Sequence, residues 1–134
     1  MNKIEKATLQ RHLDIQEGLQ YSNPGTDSVV LTAKAFLVGL KSTSPGALEQ
    51  DAFIQLHRSV FSAASNWVEG QAKGGDQIIN FLRIARGSIV EAQAQLEMLD
   101  LVDSGGHLTT ICDLIDNELG SRVEQAIKEL VQMD

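Results

Sequence analysis

Apolar residues recur along this chain at three- and four-residue intervals, and no stretch shows the two-residue alternation of a strand. Asp27 is placed to cap a helix running to about Leu40. That helix is apolar nearly all round, through Val29, Val30, Leu31, Ala33, Phe36, Leu37, Val38 and Leu40, and such a helix is normally buried on more than one side. Pro45 stands near the start of a second helix, whose stripe is Phe53, Leu56, Val60, Ala63, Ala64 and Trp67. At 100° per residue the stripe fills about 120° of arc. Asp76 is expected to cap a third helix with the stripe Ile78, Phe81, Leu82, Ala85, Ile89, Ala92, Leu96 and Leu99. Gly105-Gly106 then breaks the chain, and a last helix from about Leu108 carries Ile111, Ile115, Leu119, Val123, Ala126 and Leu130. Ahead of all these, Lys3 to Leu19 has only a thin stripe of Ile4, Leu9, Leu13 and Ile15. Both prolines lie in turn chemistry, Asn23-Pro24-Gly25 and Ser44-Pro45-Gly46. Short connections between the last three helices favour antiparallel neighbours. The pattern therefore predicts an all-α protein: an up-and-down four-helix bundle over 27–134, with an arm or short helix over 1–26.

Residues off the stripes add a second prediction. On the third helix Ile79, Arg83, Arg86 and Val90 fall about 100° from the centre of the core face, and Ile127 and Val131 do the same on the last helix. Extra apolar faces usually mark an interface, so Ile79, Val90, Ile127 and Val131 are expected in the contacts of a homo-oligomer. The alternative is apolar residues scattered on a monomer's surface, which is common.

Length and charge narrow the class. The 134 residues suit one domain with a core that needs neither disulfides nor a metal. No apolar run reaches the ~18 residues of a membrane span, and the mixed, polar first nineteen residues do not read as a signal peptide. A single cysteine, Cys112, fits a reducing compartment, so the expected location is a bacterial-type cytoplasm. The net charge of −7 is unevenly spread. Residues 1–49 balance, 50–90 carry three acids against four bases, and 91–134 carry ten acids against two bases. A general nucleic-acid binder needs a basic face. Only the middle third offers one, through Arg58, Lys73, Arg83 and Arg86, while the field of the whole molecule opposes it.

Catalytic signatures are missing. There is no Glu-x-x-His for a carboxylate-bridged metal pair, and His12, His57 and His107 stand apart without a second ligand nearby. Lys73-Gly74-Gly75 lacks the rest of a phosphate-binding loop and reads as a hinge. The reading is a non-enzyme with no cofactor, no metal and no catalytic residue. On the second helix Arg58, Ser62, Ser65 and Glu69 share one face. Asn66, Glu69 and Gly70 are read as helix termination and loop anchoring, with Gly70 left-handed at the end; direct ligand contact is the alternative. Gly87-Ser88 is read as a place where a neighbouring helix packs closely, at a propensity cost of about 1 kcal/mol. Arg83 and Arg86 suit phosphate, or equally a carboxylate of a neighbouring subunit. Trp67 reads as core and Cys112 as a buried, inert thiol.

The blocks HRSVFSAASNWVEG and INFLRIARGSIVEAQAQLEML, separated by a glycine hinge, resemble the four-helix-bundle family of 23S rRNA intervening-sequence proteins. The likeness is carried by Arg58, Ser62, Asn66, Glu69, Gly70, Phe81, Leu82, Ile84, Ala85, Gly87, Ser88, Glu91, Gln95, Leu96 and Glu97, and spans about 45 residues closely. The family's paired arginines are here His57-Arg58, its Ile-Ala before Glu-Gly is Trp67-Val68, and its basic residues after that glycine shrink to Lys73. The resemblance implies a small bundle, commonly a ring-like pentamer, without enzymatic activity. A related branch comprises accessory proteins of diversity-generating retroelements, which bind a reverse transcriptase and its RNA. The partner expected on this ground is RNA, a ribonucleoprotein or a nucleic-acid-processing protein, and the alternative is an oligomer that makes protein contacts alone.

Overall fold

The computed structural model describes residue 3, residues 24–41 and 43, and residues 49–133. Four helices run through them: α1 (Pro24–Lys41), α2 (Gln50–Lys73), α3 (Gln77–Met98) and α4 (His107–Gln132). Each packs on two others in the cycle α1–α2–α3–α4–α1, with the α2–α3 seam the most extensive. The result is the predicted all-α, up-and-down four-helix bundle, with α1 and α3 at opposite corners. No described helix is long and apolar enough to cross a membrane. The expected N-terminal helix lies outside the described residues apart from Lys3, and Pro45 lies outside them too.

The predicted stripes fill the core. Val29, Ala33, Phe36 and Leu40 of α1 meet Leu56, Val60, Ala63 and Trp67 of α2, Ile78, Leu82, Ala85, Ile89, Ala92 and Leu96 of α3, and Leu108, Ile111 and Ile115 of α4. Each fully buried Leu, Ile or Val contributes roughly 1.5–3 kcal/mol, which is ample for a chain of this length.

Several boundaries differ from expectation. α1 opens at Pro24, so Asp27 falls in its first turn instead of capping it; proline suits a first turn because its missing N–H would be unpaired there anyway. α2 runs past Gly70 to Lys73, and the left-handed glycines are Gly74 and Gly75. Gly70 is helical and buried. Asp76 precedes α3 at the expected place, but its side chain makes no capping bond. α3 ends on a left-handed residue, Asp100, whose N–H donates to Glu97 O at 2.9 Å while Leu101 N–H donates to Leu96 O at 3.1 Å.

Two faces depart from the predicted burial. α1 buries one side only, leaving Leu31 63% and Val38 56% exposed. On α4 the stripe thins: Leu119 and Val123 are half-buried and Leu130 is exposed. The cause is length. At 1.5 Å per residue α4 spans about 39 Å and α1 about 27 Å, so the last turns of α4 outrun the described helices that face its start.

Candidate functional site

The stretch linking α2 to α3 holds most of the residues singled out in the sequence. Its geometry follows from one close approach. A Cβ on Gly70 would stand 2.9 Å from Phe81 Cβ and 3.5 Å from the Ile78 carbonyl oxygen. Glycine is therefore what lets the last turns of α2 lie against the first turns of α3. The helix then stops at Gly74, whose N–H donates to Gly70 O at 3.0 Å. Its φ of 63° with ψ of −164° is a conformation few other residues adopt.

Higher along the same seam, the Ser62 and Ser88 hydroxyls lie 2.9 Å apart and share a hydrogen bond. Asn66 joins them, its Nδ2 donating to Ser62 O at 2.8 Å and to Ser62 Oγ at 3.2 Å. Asn66 thus ties into the helix behind it, and the expected bond to loop backbone is absent. Ser88, Ser62 and Asn66 form a small polar clasp between two packed helices. Because its members bond to one another, the clasp ties α2 to α3.

Gly87, beside this clasp, behaves unlike its predicted role. It is exposed, and beyond its own stretch of helix no atom of the described residues lies within 4 Å of the place its Cβ would take. None of the other described helices packs there. Glu91 is also exposed and accepts a hydrogen bond from Gln95 at 3.3 Å.

The four basic candidates are not gathered into one patch. Lys73 Nζ lies 3.9 Å from Glu69 Oε1, one turn back on α2. Arg86 Nε donates to Asp116 Oδ1 on α4 at 2.6 Å. The carboxylate foreseen on a neighbouring subunit is thus supplied by the chain itself. Asp116, through its hydrogen bond and its charge, raises the Arg86 pKa above the usual guanidinium value. Arg58 and Arg83 are exposed, and no ion pair forms at either among the described residues. They lie on opposite sides of the Ser62–Ser88 contact, one turn and a little more away, hence about 13 Å apart along the axis.

The interface candidates divide likewise. Val90, Ile127 and Val131 are exposed, whereas Ile79 is half-buried against the core, on the side of α3 that carries Arg86 over α4. The exposed apolar set also includes Ile54, Phe61, Ile84 and Met98.

Other polar groups have structural occupations. The Asp103 carboxylate accepts from the backbone N–H groups of His107 at 3.0 Å, Leu108 at 2.9 Å and Thr109 at 3.4 Å, capping α4 from ahead of Gly106. An open recess of about 120 Å³ lies beside it at the end of the bundle, lined by Phe36, Leu40, Leu96, Leu101, Asp103 and His107. Both oxygens of Asp103 are committed to that cap. Cys112 is half-buried, its Sγ 3.8 Å from Asp116 Oδ2. Burial and then the Asp116 charge push its thiol pKa up, which keeps it protonated and weakly nucleophilic. Trp67 is buried as expected, and its Nε1–H has no acceptor among the described residues. No group of three or more metal-ligating side chains occurs among the described residues. Comparison with family models, with curated proteins and with solved structures finds no match for the chain.

Proposed function

We propose that this protein is a non-catalytic adaptor that works as an oligomer, its outward helix faces making contacts with other copies and with a macromolecular partner. The observation that carries this reading is the pairing of a filled core with large apolar residues on the outside. Leu31, Val38, Phe61 and Ile84 are each at least half exposed, although the core already has its own complete stripes. Exposed apolar surface beyond that need is the mark of contact surfaces. Light scattering tests the reading: the expected mass is a multiple of the 14.6 kDa chain. A protomer mass across the accessible concentration range removes the oligomeric part.

A second reading makes the partner RNA or a ribonucleoprotein. It is supported by exposed Arg58 and Arg83, which form no ion pair among the described residues, and by the resemblance of the α2 and α3 blocks to the intervening-sequence proteins. In a ring, two such charges per chain are multiplied by symmetry. Lys73 and Arg86 contribute less, because each already faces a carboxylate. The test is a mobility-shift titration with structured RNA at low and moderate salt. Binding is expected at low salt, weakened by Arg58→Glu with Arg83→Glu. Absence of any shift at low salt leaves the protein-only adaptor.

A further inference from the structure

α4 is the longest of the described helices, and its far end outruns the other three. Leu40, Leu96 and His107 line the recess at one end of the bundle, so the end of α1, the end of α3 and the start of α4 lie level there. At about 1.5 Å per residue, α4 passes the level of Pro24 near Val123 and that of Gln77 near Ala126. The Arg86–Asp116 pair gives almost the same register, since it sets Gln77 beside Gln125. α2 stops at that level too, because only Gly74 to Asp76 join it to α3. The last two turns of α4 therefore stand clear over about 10 Å. Val123, Ala126, Ile127, Leu130 and Val131 fall there within an arc of about 140°, and Glu124, Gln125, Lys128, Glu129 and Gln132 fill the remainder. Leu130 is in line with the buried stripe yet 65% exposed, and Ile127 and Val131 are more than half exposed. The polar side is partly paired within itself, Lys128 with Glu124 at 3.4 Å. A helix divided in this way has an apolar face suited to being covered.

The chain itself supplies a cover at this place. α1 begins at the same end of the bundle, and α1 and α4 are neighbours, so the residues ahead of Pro24 join the bundle beside the bare face of α4. Residues 4–23 lie outside the described residues. Their sequence holds Ile4, Leu9, Leu13, Ile15 and Leu19, enough apolar side chains to match those on α4. Even coiled into a helix, a stretch of this length spans about 30 Å, well beyond the overhang. Charge has the right sign. Lys3, Lys6 and Arg11 stand against Glu5 in the first part of the segment, whereas α4 carries five acids and two bases. Two α4 ends brought together would repel each other for the same reason. A tethered segment also meets the face at the roughly millimolar effective concentration of a short linker, far above that of a second copy in dilute solution.

We propose that residues 4–23 fold back along the last two turns of α4 and cover Val123, Ile127, Leu130 and Val131. The occupant of this face is the chain's own N-terminal segment. The contact is intramolecular, so it stands apart from the oligomeric reading above and does not rest on it.

Hydrogen–deuterium exchange of the full chain, read peptide by peptide in a mass spectrometer, tests it. Residues 4–23 are expected to exchange at least about tenfold more slowly than the same sequence as a free peptide, and equally so at low and high protein concentration. Ile127→Glu with Leu130→Glu should bring them to the free-peptide rate while peptides of α2 and α3 keep their protection. The reciprocal variant, Leu9→Glu with Leu13→Glu, leaves every core side chain as it is. It should speed exchange over 123–132 and leave the start of α4 unchanged, and it decides the matter alone if the α4 variant loses protection in α2 and α3. Free-peptide exchange over 4–23 in the wild type overturns the proposal. So does protection of 4–23 that survives in a folded α4 variant, or exchange over 123–132 that the reciprocal variant does not alter. Protection lost on dilution overturns it as well, because the cover then comes from another copy. The oligomeric mass is read separately by light scattering, so failure here leaves the adaptor reading in place.

Discussion

Two glycines with the same sequence context of a helix interior make opposite demands. Gly70 faces Phe81 Cβ at a distance no real Cβ tolerates, so Gly70→Ala forces the α2–α3 seam apart. The expected loss is about 1–3 kcal/mol, the usual range for overpacking, despite the better helix propensity of alanine. Gly87 meets nothing, so Gly87→Ala should instead stabilise the single chain by up to ~1 kcal/mol. Urea denaturation in dilute solution reads both, and equal signs would contradict this assignment. Cys112 gives a pH test. Burial and the neighbouring Asp116 hold its pKa above the ordinary 9.0, so alkylation by iodoacetamide should stay slow at neutral pH and accelerate only in the alkaline range. The native chain holds that proton more tightly than the unfolded one, so the group also withdraws stability as pH rises above the unfolded thiol's value. Asp116→Asn removes one cause and frees the Arg86 charge, and the reaction at a given pH should quicken. An unchanged rate would show that burial alone sets the pKa.

Each helix depends on what its ends and flanks touch. Asp103 satisfies three leading N–H groups of α4, and Asp103→Ala should cost about 1–2 kcal/mol, as loss of a cap does. Asp103→Asn, which keeps one acceptor, should recover part of it in the same thermal melts. This cap was hidden in the sequence because Asp103 stands ahead of two glycines, and only their turn brings it back over the helix start. Asp76, which stands directly before its helix, looked the better cap and makes no such bond. The core stripes were legible, since burial follows the 3.6-residue period once two helices face each other. What periodicity cannot supply is the reach of the neighbour: Leu130 shares its stripe with Ile115, yet one is 65% exposed and the other fully buried. Gly70 was legible as special but not in its role, because close approach depends on a residue eleven positions away on another helix. Arg86 was legible as a candidate for pairing, and its partner Asp116 lies on the next helix. Arg86→Glu should therefore loosen the α3–α4 seam, lowering the melting temperature while leaving the mass unchanged. A drop in mass with no change in melting would place the arginine between subunits instead.

The charge of the whole molecule decides how assembly and partner binding respond to salt, and it does so with opposite signs. The net charge is −7, with the excess in the last third of the chain. On α4 both bases are already spent on acids one turn away, Arg122 on Glu118 at 2.8 Å and Lys128 on Glu124 at 3.4 Å. In the proposed oligomer the copies repel one another, and the burial of exposed apolar residues must outweigh that repulsion. Added salt shortens the reach of the repulsion to about 10 Å at 0.1 M and less above it, while apolar contact is little affected. Self-association should thus strengthen as sodium chloride is raised, and the melting temperature should climb with protein concentration, as it does whenever only the folded state associates. The proposed binding to RNA through Arg58 and Arg83 would run the other way, because such binding releases condensed counterions and weakens as salt increases. Sedimentation equilibrium of the protein alone, beside RNA titrations in the same buffers, separates the two terms. Oligomer mass rising with salt while RNA affinity falls is the expected pattern. An oligomer that dissociates as salt is raised would mean that ion pairs across the interface outweigh the burial of apolar surface.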